Sequence, residues 1–250
     1  MLICLKMAPQ VTLISGLLNI FKRIHTEAKQ INPEFAIWRE DMNDVYGKYI
    51  DFHTDKNPVW VPMRAYPAME PFVEMWRYTL PWYITYNEAE KYTFPPAKDK
   101  IYGDCYRFLL GIRGISYDFD NRWQQNKTDS LAHSAVVARI EKLWQKGVAY
   151  FFDGQFMDDV GITVSQPQVM AKVYKAANSV AIPLWNTTDQ PTSCELMINK
   201  EAIFKAKLAV KDIHFLENGK RLSVKINTNG PTISVQLPPH ELTVLVVQTK

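Results

Sequence analysis

The chain has 250 residues, of which 47% are apolar and 22% charged, with 29 Lys and Arg against 26 Asp and Glu. This composition is that of a globular protein and excludes a disordered or low-complexity chain. A net charge of +3 is too small to indicate nucleic acid as a partner. No apolar stretch reaches about 18 residues, so we expect no membrane span and no membrane partner.

The residues that bind metals and cofactors form no recognisable motif. Cys4, Cys105 and Cys194 lie far apart, and the five histidines are scattered. Because CxxC, HExxH and HxH are absent, we expect no disulfide framework and no metal site. GxGxxG, P-loop and GxSxG motifs are also absent, which argues against nucleotide-dependent chemistry and serine hydrolysis and leads us to expect no cofactor.

The N-terminal region alternates short apolar runs with helical patterns. Residues 2–5 form an apolar run of strand type, and apolar residues then recur at helical spacing over residues 11–30. Asn32-Pro33 is expected to end this helix, and residues 35–38 predict the next strand. A strand, a helix and a strand in this order form a βαβ unit, which predicts a parallel sheet.

Five further segments continue the pattern to residue 147. Residues 42–58 predict a loop with one helical turn, and the expected strands follow at 59–61 and near Tyr83. Residues 104–115 predict a helix. A second helix is expected from an N-cap at Thr128 or Asp129 to Lys146, with Gly147 just past its C-terminal end.

The pattern changes from about residue 148. Short apolar or alternating runs occupy residues 180–185, 194–198, 222–226, 233–237 and 242–247. Asn218-Gly219 is a strong turn signal between two of them. We therefore expect α/β plus all-β organisation, with a partial (β/α)8 barrel over residues 1–150 and an antiparallel β-sandwich over residues 151–250.

Three strings carry a resemblance to a known group of enzymes: FAIWRED at residues 35–41, WVP at 60–62 and EMWRYTLP at 74–81. With the two helices and β-sandwich that follow, they resemble the second half of a glycoside-hydrolase-like (β/α)8 barrel from a poorly characterised bacterial family. That family is distantly similar to α-galactosidase-type enzymes. A complete barrel takes about 250 residues by itself. About 150 precede the predicted sandwich, so the first half of the barrel is expected to be missing and the chain to be a fragment.

Glu40 is the best catalytic candidate. It lies at the C-terminal end of a predicted parallel strand, and that end of a (β/α)8 barrel holds the active site. Glycoside hydrolysis uses two carboxylates, and the resemblance implies that Glu40 is the acid/base or the nucleophile. The alternative is a structural Glu40, ion-paired with Arg39 or Arg64.

The candidate substrate-binding residues surround Glu40 or follow the next strand, and they offer carboxylates, guanidinium groups and aromatic rings for sugar hydroxyls and ring faces. Glu74 is also a candidate for the second carboxylate, although a local salt bridge between Glu74 and Arg77 is the simpler interpretation. The candidates are Asp41, Asp44, Arg64, Tyr66, Glu74, Trp76 and Arg77.

The sequence supports three hypotheses about function. The leading hypothesis is part of an enzyme that hydrolyses glycosidic bonds in oligo- or polysaccharides, with a carbohydrate as its partner. A non-catalytic carbohydrate-binding or assembly module is the alternative, because a half barrel leaves a strand edge open that a homodimer would cover. A lyase or isomerase on the same barrel is a third hypothesis.

Overall fold

A computed structural model describes residues 2–40, 47–56, 77–78, 84–88, 97–116, 127–205, 209–227 and 230–249. The chain divides into two compact units. The first unit comprises residues 1–93 and 112–119, and the second comprises residues 94–111 and 120–250. Within the described ranges, no helix is long and apolar enough to cross a membrane.

The first unit begins with helix α1, Leu2–Ile31. The strand predicted over residues 2–5 is therefore wrong, because a short apolar run fits a helix as well as a strand. The predicted helix end is confirmed. The Asn32 N–H still donates to the Ala28 carbonyl, and the Asn32 side chain then accepts from the Glu34 N–H.

One face of α1 packs on the residues that flank the first two strands. Leu18, Phe21 and Ala28 contact the buried side chains of Ile37 and Ile50. Ile24, which the helical pattern places on the same face, is 45% exposed. The buried face of α1 is thus narrower than the face on which apolar residues recur in the sequence.

The described first unit also contains a four-stranded parallel sheet, whose strands lie in the order β1 (Trp38–Glu40), β2 (Phe52–Lys56), β3 (Ile84–Glu88) and β4 (Arg113–Ser116). The expected parallel arrangement is present, but the predicted βαβ unit is wrong, because its first strand, at residues 2–5, is part of α1. Two of the four strands were not predicted. Strand β2 lies within the segment predicted as a loop at 42–58, which also contains the 3₁₀ turn Gly47–Tyr49. Strand β4 takes the place of the end of the helix predicted at 104–115. The predicted strand at 59–61 lies outside the described residues.

The second unit contains a pair of helices, α2 (Ala97–Leu110) and α3 (Lys127–Lys146), followed by the short helix α4 (Val148–Phe151). The rings of Phe108, Trp144 and Phe151 pack edge to face, with centroids 5.0–5.2 Å apart. Gly147 N–H donates to the Leu143 carbonyl, as expected at a helix end. Its φ of −99° is not left-handed, because the chain turns directly into α4.

Two antiparallel sheets make up the remainder of this unit. One has the order β12-β13-β10-β6, and the other has the order β11-β14-β9-β8-β5, with β7 also paired to β9. The strands and one short helix are β5 Gln155–Phe156, β6 Ile162–Val164, β7 Val169–Ala171, β8 Tyr174–Lys175, β9 Ser179–Asn186, β10 Thr192–Ile198, α5 Lys200–Phe204, β11 Val210–Phe215, β12 Lys225–Asn227, β13 Gly230–Leu237 and β14 Leu242–Thr249.

The two antiparallel sheets share one hydrophobic core. Ile182 of β9 and Val247 of β14 belong to the same cluster as Leu196 of β10 and Val235 of β13. Strand β10 alternates buried and exposed positions, as expected for a sheet with one solvent face, whereas β9 is buried along almost its whole length. Helix α2 covers part of β9, since the rings of Tyr102 and Trp185 are in edge contact at 4.8 Å.

Candidate active site at the carboxyl end of the parallel sheet

Glu40 is the last residue of β1. Its register partner on β2 is Thr54, and the partner of Thr54 on β3 is Tyr86. Because the strands are parallel, their carboxyl ends lie at the same edge of the sheet. Glu40 is therefore at the edge where the enzymes of (β/α)8 barrels carry their catalytic groups.

Two more acidic residues lie at this edge. Asp55 is one position beyond Thr54 on β2, and Glu88 is the last residue of β3. Neither was predicted from the sequence, because β2 lies in the segment predicted as a loop and the strand expected near Tyr83 was predicted to end at Tyr86, with a loop from Asn87 onward. Two more residues in that strand would have reached Glu88.

Most of the other predicted site residues fall outside the described part of the chain. Arg77 is described, half-buried in a helical segment together with Tyr78. The grouping of the candidates around Glu40 therefore stays a prediction. The residues outside the described ranges are Asp41, Asp44, Arg64, Tyr66, Glu74 and Trp76.

Asp51, next to the same sheet, is a carboxylate with a structural role. Its Oδ2 accepts a hydrogen bond from the Ile37 N–H at 2.7 Å, and its Oδ1 lies 3.0 Å from Lys29 Nζ. It directly precedes β2, so it lies toward the amino ends of the strands. In barrel enzymes this end serves stability rather than chemistry. Both oxygens of Asp51 are engaged in holding α1 and β1 together.

The second unit contains a buried polar group that sequence analysis also missed. His133 Nε2 lies 2.7 Å from Asp104 Oδ2, and Arg107 lies 3.9 Å from the other oxygen of the same carboxylate. All three side chains are at least nine-tenths buried. The hydrogen bond between His133 and Asp104 links α3 to α2, and the group therefore has a structural character.

The described thiols are poorly suited to chemistry. Cys105 and Cys194 are free and buried. Burial raises the pKa of the Cys105 thiol, and the negative charge of Asp104 raises it further. Burial also raises the pKa of Cys194. A thiol is nucleophilic as the thiolate, so both groups are inert at neutral pH. In the described ranges, no three His, Cys, Asp or Glu side chains are grouped so that they could hold a metal ion.

The comparisons with known proteins show which fold the chain resembles, but they do not assign the chain to a family. No family model matches the chain, and no curated protein matches it. Solved structures do match. An α-amylase from Geobacillus thermoleovorans, complexed with acarbose, has a TM-score of 0.56 at 14% identity over 93% of this chain and 57% of its own.

Two other matches have the same character. A noncanonic maltogenic α-amylase from Thermotoga neapolitana has a TM-score of 0.53 at 15% identity, over 92% of this chain and 58% of its own. A GH27 β-L-arabinopyranosidase from Geobacillus stearothermophilus, in complex with arabinose, has a TM-score of 0.50 at 8% identity, over 92% of this chain and 54% of its own. The chain therefore has a glycoside-hydrolase-like fold and spans somewhat more than half the length of these structures.

Proposed function

We propose that this chain is part of a glycoside hydrolase whose active site forms at the carboxyl end of the parallel sheet. In this proposal, strands β1 to β4 belong to a partial (β/α)8 barrel, and the two antiparallel sheets form a C-terminal β-sandwich. The substrate is an oligo- or polysaccharide. The distant relationship to α-galactosidase-type enzymes belongs to the same proposal.

The position of Glu40 carries the proposal. It ends one strand of four consecutive parallel strands, in a fold whose solved neighbours are glycoside hydrolases. Asp51, in contrast, lies at the amino end and has both oxygens occupied by structural partners. This difference separates the carboxylate proposed for chemistry from the one that maintains the sheet.

A glycosidase needs a second carboxylate, and the structure adds two candidates to Glu74. Glu88 lies two rows beyond the row of Glu40, and Asp55 lies one row beyond it. Neighbouring strands are about 4.8 Å apart, and rows are separated by about 3.3 Å. The backbone of Asp55 is thus about 6 Å from that of Glu40, and the backbone of Glu88 is about 12 Å away.

The test is reducing-sugar release from a panel of α-glucans, α-galactosides and arabinosides. We expect Glu40→Gln to lower any activity at least 100-fold, since it removes the ionisable group. Glu34→Gln is the matched control, because Glu34 is exposed and lies before β1. Unchanged hydrolysis in Glu40→Gln would contradict the role assigned to Glu40. Products with unsaturated or isomerised sugars, without hydrolysis, would favour a lyase or isomerase instead.

The second candidate function is a non-catalytic carbohydrate-binding or assembly module. It is favoured by the strand order of the sheet, in which β1 and β4 each have one hydrogen-bonded neighbour among the described strands. An open edge of this kind pairs readily with another chain. A stable homodimer that binds glycans from the panel and hydrolyses none of them would support this function. A monomer that neither binds nor hydrolyses any of them would contradict both.

A further inference from the structure

The turn after β11 carries an Asn-Gly pair on the protein surface. Asn218 and Gly219 are both exposed, and Gly219 has a left-handed φ of 69°. A Cβ at Gly219 would meet no atom within 4 Å, so the space beside the glycine is open. The turn belongs entirely to the second unit.

An exposed Asn-Gly pair can undergo a reaction within its own backbone. The Gly219 nitrogen loses its proton and attacks Cγ of Asn218, and the bond from Cγ to Nδ2 breaks, so that Nδ2 leaves as ammonia. The product is a five-membered succinimide ring. Water then opens the ring, either at Cγ to give an aspartyl residue or at the main-chain carbonyl to give an isoaspartyl residue. Glycine favours ring closure because it has no Cβ to restrict the backbone.

The folded turn opposes this reaction at both reacting groups. The Gly219 N–H donates to the Phe215 carbonyl at 2.8 Å, so the proton that must leave is held in a hydrogen bond. Asn218 Oδ1 accepts from the Lys220 N–H at 2.8 Å, which fixes the orientation of the side-chain amide. The Phe215 N–H also donates to the Lys220 carbonyl, at 3.0 Å. Asn218 therefore reacts only when the turn opens locally.

Glu217, the residue before Asn218, ties the turn to two neighbouring elements. Its Oε1 accepts from Thr243 Oγ1 at 2.7 Å and from the Val244 N–H at 3.3 Å, both on β14. Its carbonyl accepts from the Lys146 ammonium at the end of α3. A segment held by its neighbours opens less often than a free loop, so these contacts lower the fraction of time in which Asn218 can react.

We infer that Asn218 is a site of spontaneous deamidation, and that the contacts of Glu217 control its rate through the opening of the turn. Loss of two hydrogen bonds of ordinary net strength before each reaction slows it about tenfold or more relative to an unstructured peptide. The modification consumes only water and releases ammonia. It does not depend on the proposed hydrolase activity.

Both products change the turn. The aspartyl product adds a negative charge directly beside that of Glu217. The isoaspartyl product adds one methylene to the main chain between Asn218 and Gly219, so the two bonds that close the turn at Phe215 lose their geometry. The bridge that follows, between His214 and Arg221, extends this pairing and is expected to weaken with it.

The test is peptide mapping by mass spectrometry on the full chain during incubation at pH 8. Trypsin cuts after Lys211 and Lys220, so residues 212–220 form a peptide in which Asn218 is the only asparagine. The other Asn-Gly pair of the sequence, at 229–230, falls in a different peptide. A synthetic peptide of residues 210–224 is the unstructured reference. We expect deamidation at Asn218 in the folded chain, at least tenfold slower than in the reference peptide.

Glu217→Ala tests the control by the neighbouring strand. It removes the acceptor that ties the turn to β14, and we expect deamidation at Asn218 to become at least threefold faster. Thr243→Val removes only the hydroxyl donor and should accelerate the reaction less. Glu195→Gln, at an exposed position of β10, is the matched control and should leave the rate unchanged. Melting temperatures of all variants confirm that they fold.

Three results would overturn the inference. The first is an equal rate of deamidation in the folded chain and in the reference peptide. The second is an unmodified Asn218 in the folded chain after the peptide has reacted completely. The third is an unchanged rate at Asn218 in both Glu217→Ala and Thr243→Val.

Discussion

Ile37 and Asp51 are joined by two opposed hydrogen bonds. The Ile37 N–H donates to the Asp51 carboxylate at 2.7 Å, and the Asp51 N–H donates to the Ile37 carbonyl at 2.9 Å. The pair lies immediately before β1 and β2, whose register then runs from Trp38 opposite Phe52 to Glu40 opposite Thr54. A contact at the amino end of the strands thus sets which residues meet at their carboxyl end.

Asp51→Ala should destabilise the first unit. It leaves the Ile37 N–H without its acceptor and removes the partner of Lys29, and we expect a loss of about 1–3 kcal/mol in the free energy of unfolding. Urea unfolding measures this loss, and amide exchange at Ile37 should accelerate with it. Asp51→Asn keeps an acceptor oxygen and should cost less. Equal losses in the two variants would contradict the role of the hydrogen bond to Ile37.

Gly147, in the turn between α3 and α4, and Gly16, inside α1, differ in the space around them. A Cβ at Gly147 would overlap the ring of Phe151, whereas a Cβ at Gly16 would meet no atom within 4 Å. We expect Gly147→Ala to destabilise the protein by about 1–3 kcal/mol. Gly16→Ala should stabilise α1 by about 0.5–1 kcal/mol, since alanine restricts the unfolded chain. Thermal unfolding of both variants would show shifts of opposite sign, and shifts of the same sign would contradict the packing described here.

Asp104→Ala should weaken the pairing of α2 and α3. Asp104 is the carboxylate shared by His133 and Arg107, and its loss removes the hydrogen-bond acceptor of His133 Nε2 and a buried negative charge beside Arg107. Breaking a buried pair from one side typically costs about 3–5 kcal/mol. Urea unfolding should show a loss of this size. Glu141→Ala on α3, where the side chain is only half-buried, is the control and should cost far less.

The buried thiols should make stability depend on alkaline pH. The pKa of Cys105 is raised in the folded state, so the folded state keeps its proton at a pH where the unfolded chain has lost it. Stability is therefore full below the usual thiol pKa of about 8.5 and falls as pH rises above it. Unfolding free energies from pH 7 to 10 measure this slope. Cys105→Ala should reduce it, and an unchanged slope would contradict the assignment.

Thiol labelling tests the same burial directly. In a Cys4→Ser background, the two remaining thiols of Cys105 and Cys194 should react with a disulfide reagent only after unfolding. The folded protein should give less than one labelled thiol per chain at pH 8. Rapid labelling of the native state at both positions would contradict their placement in the core.

The sequence pattern predicted the structure correctly where that structure depends on residues within a single helix, strand or turn. The helical spacing before Asn32 predicted most of α1, and the alternation of Ile233, Val235 and Leu237 predicted β13, in which all three side chains are buried. The Asn218-Gly219 signal is confirmed by a left-handed φ of 69° at Gly219 and by the bond from its N–H to the Phe215 carbonyl. Each of these features is set by residues within a few positions of one another.

The existence of β2 and the pairing of charged side chains depend instead on contacts between residues far apart in the sequence. Strand β2, with the polar sequence Phe52-His53-Thr54-Asp55-Lys56, lacks the apolar run expected of a parallel strand and exists because β1 and β3 flank it. Arg139 and Glu241 are 102 residues apart, and only the packing of α3 beside the start of β14 makes them partners.

The sequence by itself determined the three long helices in outline, strands β9, β10, β13 and β14, and the place of Glu40 at the end of a strand. It did not predict β5 to β8 or β11. The tertiary structure decided which carboxylates share an edge with Glu40 and which, like Asp51 and Asp104, are held by partners from other elements. The physical reason is that side-chain periodicity reports burial along one element, whereas charge pairing and register depend on contacts that no local pattern encodes.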